Sequence, residues 1–264
     1  MDNSNLNLNL SLSLYEKEKF AEAFEKAKTY CSENPTIGIL SEKIMHLTLK
    51  FYFSPYSSDH EVKLGSFYAD AINEEGIVEV QTRSFKNLSK KLMYFLAVTD
   101  VNLIHPIPFH KYVSWLDPET GETSKAHRSP KIGRLIDVFG ELYGIKDKLN
   151  NPRLTITLMH IDTDDFKMLD GKSKDRKKGA TRIERYPREL IDIFIINTPR
   201  DLLKLLPEDL PEIFSASDLQ KLSKCNSRNS YSAINTLCYL GLCENVGKEG
   251  RKNLFKLKNN ADAN

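Results

Sequence analysis

The sequence lacks several features that would assign it to a class of proteins at once. Its 264 residues include one tryptophan and four cysteines, Cys31, Cys225, Cys238 and Cys243. The cysteines form no CxxC pair, which argues against a zinc site and favours free thiols in a reducing, cytoplasmic setting. There is no run of about 18 apolar residues, as a membrane-spanning helix requires, and no secretory signal pattern at the start. We therefore expect a cytoplasmic protein without a membrane partner.

Overall charge and common catalytic motifs are equally uninformative. The 38 Lys and Arg residues nearly balance the 36 Asp and Glu residues, so the net charge of +2 indicates no partner. No GxxxxGK[ST] loop is present, which argues against an ATPase, and no nucleophile-elbow sequence supports Ser–His–Asp catalysis. His46, His105 and His110 lack the spacing of metal ligands. A hydrophobic content of 40% is ordinary for a globular chain of one large domain or two modest ones.

The order of apolar patterns predicts an α/β domain in residues 15–200, after a low-complexity tail at residues 1–14. The tail alternates Leu with Asn or Ser, and we favour disorder there over an added edge strand. Helices are predicted where apolar residues recur at helical spacing, and strands where they alternate or run continuously. In chain order these are helices at 15–32 and 37–53, strands at 61–64, 67–73 and 76–82, a helix at 84–96, strands at 101–107 and 112–116, a helix at 132–149, and strands at 154–161 and 190–196.

Two connections define the predicted sheet. Residues 73–76, Asn-Glu-Glu-Gly, predict a tight turn because Asn and Gly tolerate positive φ. The strands on either side of this turn therefore form an antiparallel hairpin. The helix at 84–96, with Ser84 as its N-cap, lets the next strand return parallel through a right-handed crossover. The result is a mixed sheet flanked by helices.

The hairpin carries three polar side chains that a half-buried hairpin does not need: Asp70 on one strand, and Glu79 and Gln81 on the other. A tight hairpin brings the two carboxylates side by side, where each raises the pKa of the other unless a cation lies between them. Hard oxygen ligands suit Mg²⁺ or Mn²⁺, and such an ion can polarise a phosphodiester and activate bound water. In the structural alternative, Asp70 caps a strand end while Glu79 and Gln81 face solvent on an edge hairpin.

This arrangement resembles the PD-(D/E)XK superfamily, the restriction-endonuclease-like nucleases, over about residues 37–107. Residues 79–83, Glu-Val-Gln-Thr-Arg, also look like the Glu-Val-Lys-Thr-Arg run of small bacterial proteins related to Holliday-junction resolvases. The resemblance implies that Asp70 and Glu79 bind the metal, with the Val80 carbonyl as a third ligand candidate. It also implies that Glu42, on the preceding helix, is a further ligand or holds water, although the helix dipole alone favours a Glu near a helix start.

Gln81 occupies the position at which the superfamily has a lysine. A glutamine can orient water by hydrogen bonds but supplies no charge. Lys63 on the first strand, or Lys86 and Lys90 on the following helix, would then supply the charge. The candidate catalytic residues are Asp70, Glu79, Gln81, Glu42 and Lys63.

A second unit is predicted at the C-terminus, after a linker at residues 201–213 that contains Pro207 and Pro211. Residues 214–258 show a helix, a turn, a second helix and two strands, which resembles a winged helix-turn-helix domain. The resemblance implies that the second helix, at residues 228–240, enters the major groove, with Ile234, Leu237 and Leu240 toward the core. The tip between the strands would contact backbone or minor groove. Winged helices also serve as protein–protein modules.

A basic loop at residues 170–188 adds a second candidate surface for nucleic acid, because its cations can release counterions from phosphates. A solvated surface loop is the alternative. On the predicted reading helix, Arg and Asn side chains can hydrogen-bond base edges. The candidate DNA-binding residues are Lys172, Lys174, Arg176, Lys177, Lys178, Arg182, Arg228, Asn229, Asn235, Lys248, Arg251 and Lys252. Trp115 is interpreted as a core residue, with base stacking as the lesser alternative.

Together these features predict a DNA endonuclease that depends on Mg²⁺ or Mn²⁺, with a nuclease-like domain positioned on DNA by a winged helix. Cleavage of both strands of a duplex commonly uses two sites, so this hypothesis includes the option of a homodimer. Two alternatives stay open. One is a catalytically inactive, nuclease-fold protein that binds DNA, such as a transcriptional regulator, and the other is a protein-interaction module.

Overall fold

The computed structural model describes residues 12–34, 40–82, 84–170 and 180–258, with the side chains of all of these except residues 40–43. The α-helices are α1 (Leu14–Glu33), α2 (Leu40–Phe53), α3 (Ser89–Val98), α4 (Phe139–Leu142), α5 (Ala216–Ser223) and α6 (Ser227–Tyr239). The strands are β1 (His60–Leu64), β2 (Phe67–Asn73), β3 (Gly76–Val80), β4 (Val101–Leu116), β5 (His127–Arg128), β6 (Leu154–Met168), β7 (Thr181–Ile196), β8 (Ile213–Phe214), β9 (Cys243–Glu249) and β10 (Lys252–Leu257).

The predicted α/β class, a large mixed sheet flanked by helices, is confirmed. The sheet has the order β1-β2-β3-β4-β6-β7, and β5 pairs with β4. Strands β2 and β3 form the predicted antiparallel hairpin, which closes where Asn73 pairs with Gly76. Gly76 has φ 125°, and a Cβ at this position would lie 2.4 Å from the Asp100 carbonyl oxygen, so only glycine fits. Strand β4 then pairs with β3 in parallel, as the crossover through α3 predicts.

Helices cover both faces of the sheet, and each face has its own apolar core. On one face, α1 and α2 contribute Phe20, Ala27 and Leu49 against sheet residues such as Val78 and Ile104. On the other face, residues of α3 and the segment around α4 pack against the sheet. This second core includes the fully buried Phe85, Leu92, Phe95, Phe139 and Leu142. The alternation of apolar residues along β3 therefore supplies both cores, as expected for a strand inside a three-layer arrangement.

Strands β4, β6 and β7 are much longer than predicted, at 16, 15 and 16 residues. The sequence predicted two separate strands, at residues 101–107 and 112–116. Pro106 and Pro108 cannot donate backbone hydrogen bonds. Instead, β4 continues through the prolines with a shift in its pairing between Pro108 and Lys111. The outer halves of these strands form an extension that we call the strand arm (residues 109–116, 161–168 and 181–190), with β5 at its side.

The single helix predicted at residues 132–149 is wrong. The segment forms a 3₁₀ turn at Leu135–Val138, the short helix α4, and a second 3₁₀ segment at Tyr143–Lys148. At Gly144 a Cβ atom would lie 3.1 Å from the backbone nitrogen of Lys86, so the chain approaches its neighbour too closely for a regular, side-chain-bearing helix. Buried apolar residues here still face one side, which is why their spacing resembled a helix.

The C-terminal residues follow the predicted order of helix, turn, helix and two strands, with β8 added to form a three-stranded sheet of order β8-β10-β9. Ser215 and Asn226 accept hydrogen bonds from backbone N–H groups three residues on, and thereby cap α5 and α6. The core of this unit is continuous with the core beneath the main sheet. The segment predicted as a linker contributes buried Leu202 and Leu205 from a 3₁₀ helix, Pro199–Leu205, and is therefore packed against the protein.

Among the helices of the described ranges, none is long and apolar enough to cross a membrane.

Candidate functional site

Asp70 and Glu79 lie on adjacent strands, just beyond the point where β2 and β3 pair at Ala71 and Val78. The Oδ2 atom of Asp70 accepts a hydrogen bond from the backbone N–H of Val80 at 2.8 Å. The side chain of Asp70 thus links the strands beyond their regular ladder. Asp70 is 9% exposed and Glu79 is 4% exposed, so the alternative in which Glu79 faces solvent is wrong.

His46, on α2, contacts the same pair of strands. Its Nε2 atom lies 3.2 Å from Oδ2 of Asp70 and 3.2 Å from the carbonyl oxygen of Val80. Both of these atoms are acceptors, so Nε2 carries the proton and donates. The Asp70 carboxylate and the Val80 carbonyl therefore converge on one point. The spacing of histidines along the chain does not single out His46, because these contacts cross from a helix to a sheet.

Lys91, on α3, reaches the site from the other face of the sheet. Its Nζ atom lies 2.5 Å from Oε1 of Glu79, and its side chain also lies against the ring of Phe95, with Nζ 5.5 Å from the ring centroid. The other carboxylate oxygen of Glu79, Oε2, is buried and has no hydrogen-bond partner within the described part of the chain. Within the described part of the chain, the contact with Lys91 thus engages only one of the two carboxylate oxygens of Glu79.

The lysines that were predicted to supply charge do not lie at the Glu79 carboxylate as Lys91 does. Lys63 is exposed on the edge strand β1, opposite Tyr68. Lys86 and Lys90 are also exposed. Lys91 is the neighbour of Lys90, and one step along a helix turns a side chain by about 100°, which moves it from the outer surface to the sheet.

Burial and the neighbouring charges give the two carboxyl groups opposite pKa shifts. Burial favours protonation of Asp70, but His46, Lys91 and the Val80 N–H outweigh it, so the pKa of Asp70 lies below its ordinary value. Burial and then repulsion by Asp70 raise the pKa of Glu79 to about 7, although Lys91 and His46 act against the shift. Two carboxyl groups whose pKa values are driven apart are typical of a functional site.

Gln81 and Glu42 take a smaller part in the described geometry. The side-chain amide of Gln81 donates a hydrogen bond to the Ser84 carbonyl at 3.0 Å. The backbone carbonyl oxygen of Gln81 lies 2.6 Å from Nδ1 of His105. Gln81 therefore fixes the loop after β3 with its amide. Glu42 lies in the first turn of α2, and its side chain is outside the described residues.

The candidate donors at this site are oxygen atoms, the type of ligand that Mg²⁺ and Mn²⁺ prefer. Asp70, Glu79 and the Val80 carbonyl offer two carboxylates and one neutral oxygen. Among the described side chains, no group of three or more His, Cys, Asp or Glu residues is placed to hold a metal. Mg²⁺ commonly keeps several waters and needs only one or two protein carboxylates. The buried, unpaired Oε2 of Glu79 is the observation that best fits such an ion.

A large open cavity of about 1210 Å³ lies away from these carboxylates, where the β4 and β6 strands begin. Its lining includes one lysine, Lys19, and several carboxylates. The acidic lining residues are Glu16, Asp59, Glu74, Glu75 and Asp100. This excess of negative charge repels phosphate, so the cavity does not extend the candidate site toward nucleic acid.

The predicted DNA-binding residues fall into three groups. Lys172, Lys174, Arg176, Lys177 and Lys178 lie outside the described residues. Six others are exposed, on β7, on α6 and in the C-terminal hairpin. These are Arg182, Arg228, Asn235, Lys248, Arg251 and Lys252.

Asn229 is the exception, because it does not face outward as predicted. It is 8% exposed, and its side-chain amide donates a hydrogen bond to Asp137 at 2.7 Å. Ser232, on the same helix, is also buried. This side of α6 packs against the segment around α4, so the exposed face of α6 is narrower than predicted and carries Arg228, Tyr231 and Asn235. Ile234 and Leu237 are buried as predicted, and Leu240 is half-buried.

Comparison with known proteins gives a family for this chain. No solved structure matches it. An uncharacterized protein of Treponema pallidum (strain Nichols) is 29% identical over 222 residues, which make up 84% of this chain and 87% of that protein. A family model of a domain of unknown function matches residues 43–197, a span that contains His46, Asp70, Glu79 and Lys91. Because that span is more than half of the 264 residues, the chain belongs to the DUF8091 family.

Proposed function

We propose that this protein is a nuclease that hydrolyses phosphodiester bonds of DNA with the help of Mg²⁺ or Mn²⁺. The observation that supports this most is the buried Oε2 atom of Glu79, which has no hydrogen-bond partner among the described residues. In addition, the Asp70 carboxylate and the Val80 carbonyl both lie 3.2 Å from Nε2 of His46, so two further oxygens face one point, which this ring nitrogen occupies. A helix, an antiparallel hairpin and a parallel crossover strand surround the site, and we interpret this frame as restriction-endonuclease-like.

The residues have separate roles in this proposal. Asp70, Glu79 and the Val80 carbonyl would hold the ion, which when bound supplies polarisation of the phosphodiester and a lower pKa for the attacking water. Asp70 stays ionised because its pKa is lowered by its neighbours. Lys91 orients Glu79 through Oε1 and leaves Oε2 for the ion. His46, which contacts the Asp70 carboxylate and the Val80 carbonyl, would compete with the ion for these two acceptors.

Lys91 can supply the positive charge that is missing at position 81. Gln81 carries no charge, and its amide is bonded to Ser84. Lys91 brings a positive charge to the carboxylate pair from α3, which is the element that follows the hairpin. We therefore assign the role of the superfamily lysine to Lys91 instead of Lys63.

For the C-terminal unit we propose a winged-helix role in holding DNA. Arg228 and Asn235 are exposed on α6, and Lys248, Arg251 and Lys252 are exposed in the β9–β10 hairpin. Arg and Asn can bond base edges, and lysines can bond phosphates. The buried contact between Asn229 and Asp137 fixes this unit against the nuclease-like domain, so the two surfaces would bind one DNA molecule together.

A second candidate function is a DNA-binding protein that does not cleave. It is favoured by one observation, the engagement of the Gln81 amide with Ser84, which keeps this side chain from orienting water at the carboxylates. In this case the carboxylate pair would be a structural remnant, and DNA binding would be the activity of the protein.

A cleavage panel tests the proposal. The full-length protein is incubated with duplex, branched and single-stranded DNA in Mg²⁺, in Mn²⁺ and in EDTA. We expect metal-dependent cleavage, and a loss of at least about 100-fold in Asp70→Asn and Glu79→Gln, since metal stabilisation of the transition state is worth several kcal/mol. Glu75→Gln, in the exposed turn of the same hairpin, is the matched control and should cleave normally.

The variants must also fold, which circular dichroism and a thermal melt will check. Wild-type cleavage by folded Asp70→Asn would refute the proposed site. Binding of DNA without cleavage of any substrate in either metal would favour the second candidate function.

A further inference from the structure

The strand arm has a face on which cations outnumber carboxylates. Side chains at Lys111, Val113 and Trp115 of β4 point to one side, because residues alternate along a strand. Their paired residues on β6 are Thr163, Asp165 and Lys167. Burial, the charge of Arg185 and the charges of Lys131 and Lys167 lower the pKa of Lys111, while Asp165 acts against the shift. Among the described residues, the charges of Lys111, Arg185, Lys131 and Lys167 therefore lie near one carboxylate, Asp165, on which Arg182 also acts.

Both oxygens of the Asp165 carboxylate already accept hydrogen bonds. Asp165 is 2% exposed, and Arg185 binds it through two hydrogen bonds of 2.6 Å, from Nε and from a terminal nitrogen. The Thr163 hydroxyl donates a third hydrogen bond at 3.0 Å. One arginine and one aspartate therefore neutralise each other, and the positive charges of Lys111, Lys131 and Lys167 remain. Crowding of like charges is unfavourable by itself, and an anion bound to this face would relieve it.

Two aromatic rings lie on the same arm. The rings of Trp115 and His127 are stacked, with centroids 6.0 Å apart and planes 14° apart. Nζ of Lys167 lies 5.4 Å from the Trp115 centroid, so the stack adjoins the cations. Trp115 is half-buried and His127 is exposed, which corrects the interpretation of Trp115 as a core residue. A further flat ring can extend this stack from the exposed His127 side.

We propose that this face of the strand arm binds single-stranded DNA, with the lysines on its phosphates and one unpaired base stacked on the Trp115–His127 pair. Cations that follow the backbone together with aromatic rings that stack on bases are the general means of binding single strands. A continuous duplex keeps its bases stacked on one another, so it can use the cations but not the rings. The inference deepens the proposed function, on which it rests, and names DNA with an unpaired segment as the substrate class.

Trp115 gives a direct measurement, because it is the single tryptophan of the chain. The full-length protein is titrated with oligo(dT) and with a duplex of the same length in EDTA, where no metal-dependent cleavage occurs. We expect oligo(dT) to quench the tryptophan fluorescence and to bind more tightly than the duplex. The duplex should leave the fluorescence unchanged.

Substitutions separate stacking from charge, with binding measured by the anisotropy of a labelled oligo(dT). His127→Ala should weaken binding roughly 5- to 150-fold, the range for one base stacked on a side chain, whereas Trp115→Phe keeps a ring and should bind nearly normally. Lys167→Gln should reduce the slope of log affinity against log salt by about 0.7. Tyr56→Ala and Lys26→Gln change an exposed ring and an exposed cation elsewhere and should have no effect.

The result that overturns the inference is equal quenching by duplex and oligo(dT), or unchanged oligo(dT) affinity in folded His127→Ala and Lys167→Gln. Because the titration uses EDTA, it does not depend on cleavage. Cleavage is measured with Mg²⁺ or Mn²⁺ and binding in EDTA, so failure of the nuclease proposal and failure of this one give different results.

Discussion

The ion pair between Lys91 and Glu79 leads to a quantitative prediction for the variant Lys91→Met. Glu79 is buried, and its Oε1 atom lies 2.5 Å from Nζ of Lys91. Removing one member of a fully buried pair costs roughly 3–5 kcal/mol, because the remaining charge has no partner. The Lys91 side chain is 21% exposed and Met keeps its contact with Phe95, so we expect a smaller loss, about 2 kcal/mol at pH 8 in metal-free buffer.

The loss should depend on pH in a defined direction. The pKa of Glu79 is raised from 4.5 to about 7. Between these two pH values the folded protein holds a proton that the unfolded chain releases. The stability of the wild type therefore falls as the pH rises from 4.5 to about 7. At pH 5 the folded protein holds Glu79 protonated with or without Lys91. The ammonium of Lys91 then faces a neutral carboxyl group, so the cost of Lys91→Met should shrink to about 1 kcal/mol.

Urea unfolding at pH 5 and pH 8, followed by circular dichroism, measures both values. Lys90→Met is the matched control, because Lys90 is exposed on the same helix and should change stability by less than about 0.5 kcal/mol. The double variant Lys91→Met with Glu79→Gln removes both charges and should be more stable than Lys91→Met alone at pH 8. An equal cost of Lys91→Met at both pH values, or a double variant less stable than the single one, would refute the ion-pair reasoning.

Two further predictions concern contacts outside the site. Burial opposes the ionisation of Asp201, but hydrogen bonds from Lys204 and Thr198 lower its pKa to about 2. The stability that ionised Asp201 contributes is therefore present above pH 3.8 and lost as the pH falls through about 2. Thermal melts should show Asp201→Asn destabilised by about 1 kcal/mol at pH 7, a value reduced by solvent screening, and an undiminished difference near pH 2 would contradict this. Asn229→Ala should cost about 1–3 kcal/mol in urea unfolding because it leaves the Asp137 carboxylate without its 2.7 Å donor, and a cost below 0.5 kcal/mol would show that this bond does not hold α6 against the main domain.

Local signals gave the hairpin correctly. The run that became β2, Phe67–Asn73, was predicted with its observed bounds, and the turn follows from Asn73 and Gly76. Alternation within a strand and the φ preferences of turn residues act over a few positions, so one sequence is enough to read them. The burial of Asp70 and Glu79 follows from the layers on both faces of the sheet, and those layers come from distant segments.

Contacts across layers escaped the sequence analysis for the same reason. His46 reaches Asp70 from 24 positions away, and Asn229 meets Asp137 across 92 positions. A polar residue at an outward helical position looks exposed until its partner is known, and Asn229 is such a residue. Trp115 was misinterpreted because an apolar residue in a strand indicates burial only where another layer covers the strand, and the strand arm is longer than any sequence signal indicated.

Whether the proposed site can work without a lysine at position 81 depends on which oxygen of Glu79 each partner contacts. If Lys91 and a divalent ion needed the same oxygen, each would exclude the other, and the ion pair would mark an inactive scaffold. The contact of Lys91 is with Oε1, while Oε2 is buried without a partner among the described residues. An ion at Oε2 can therefore coexist with Lys91 at Oε1, and its charge would add to that of Lys91 in keeping Glu79 ionised. The glutamine at position 81 is then compatible with catalysis, because the positive charge reaches the carboxylates from α3.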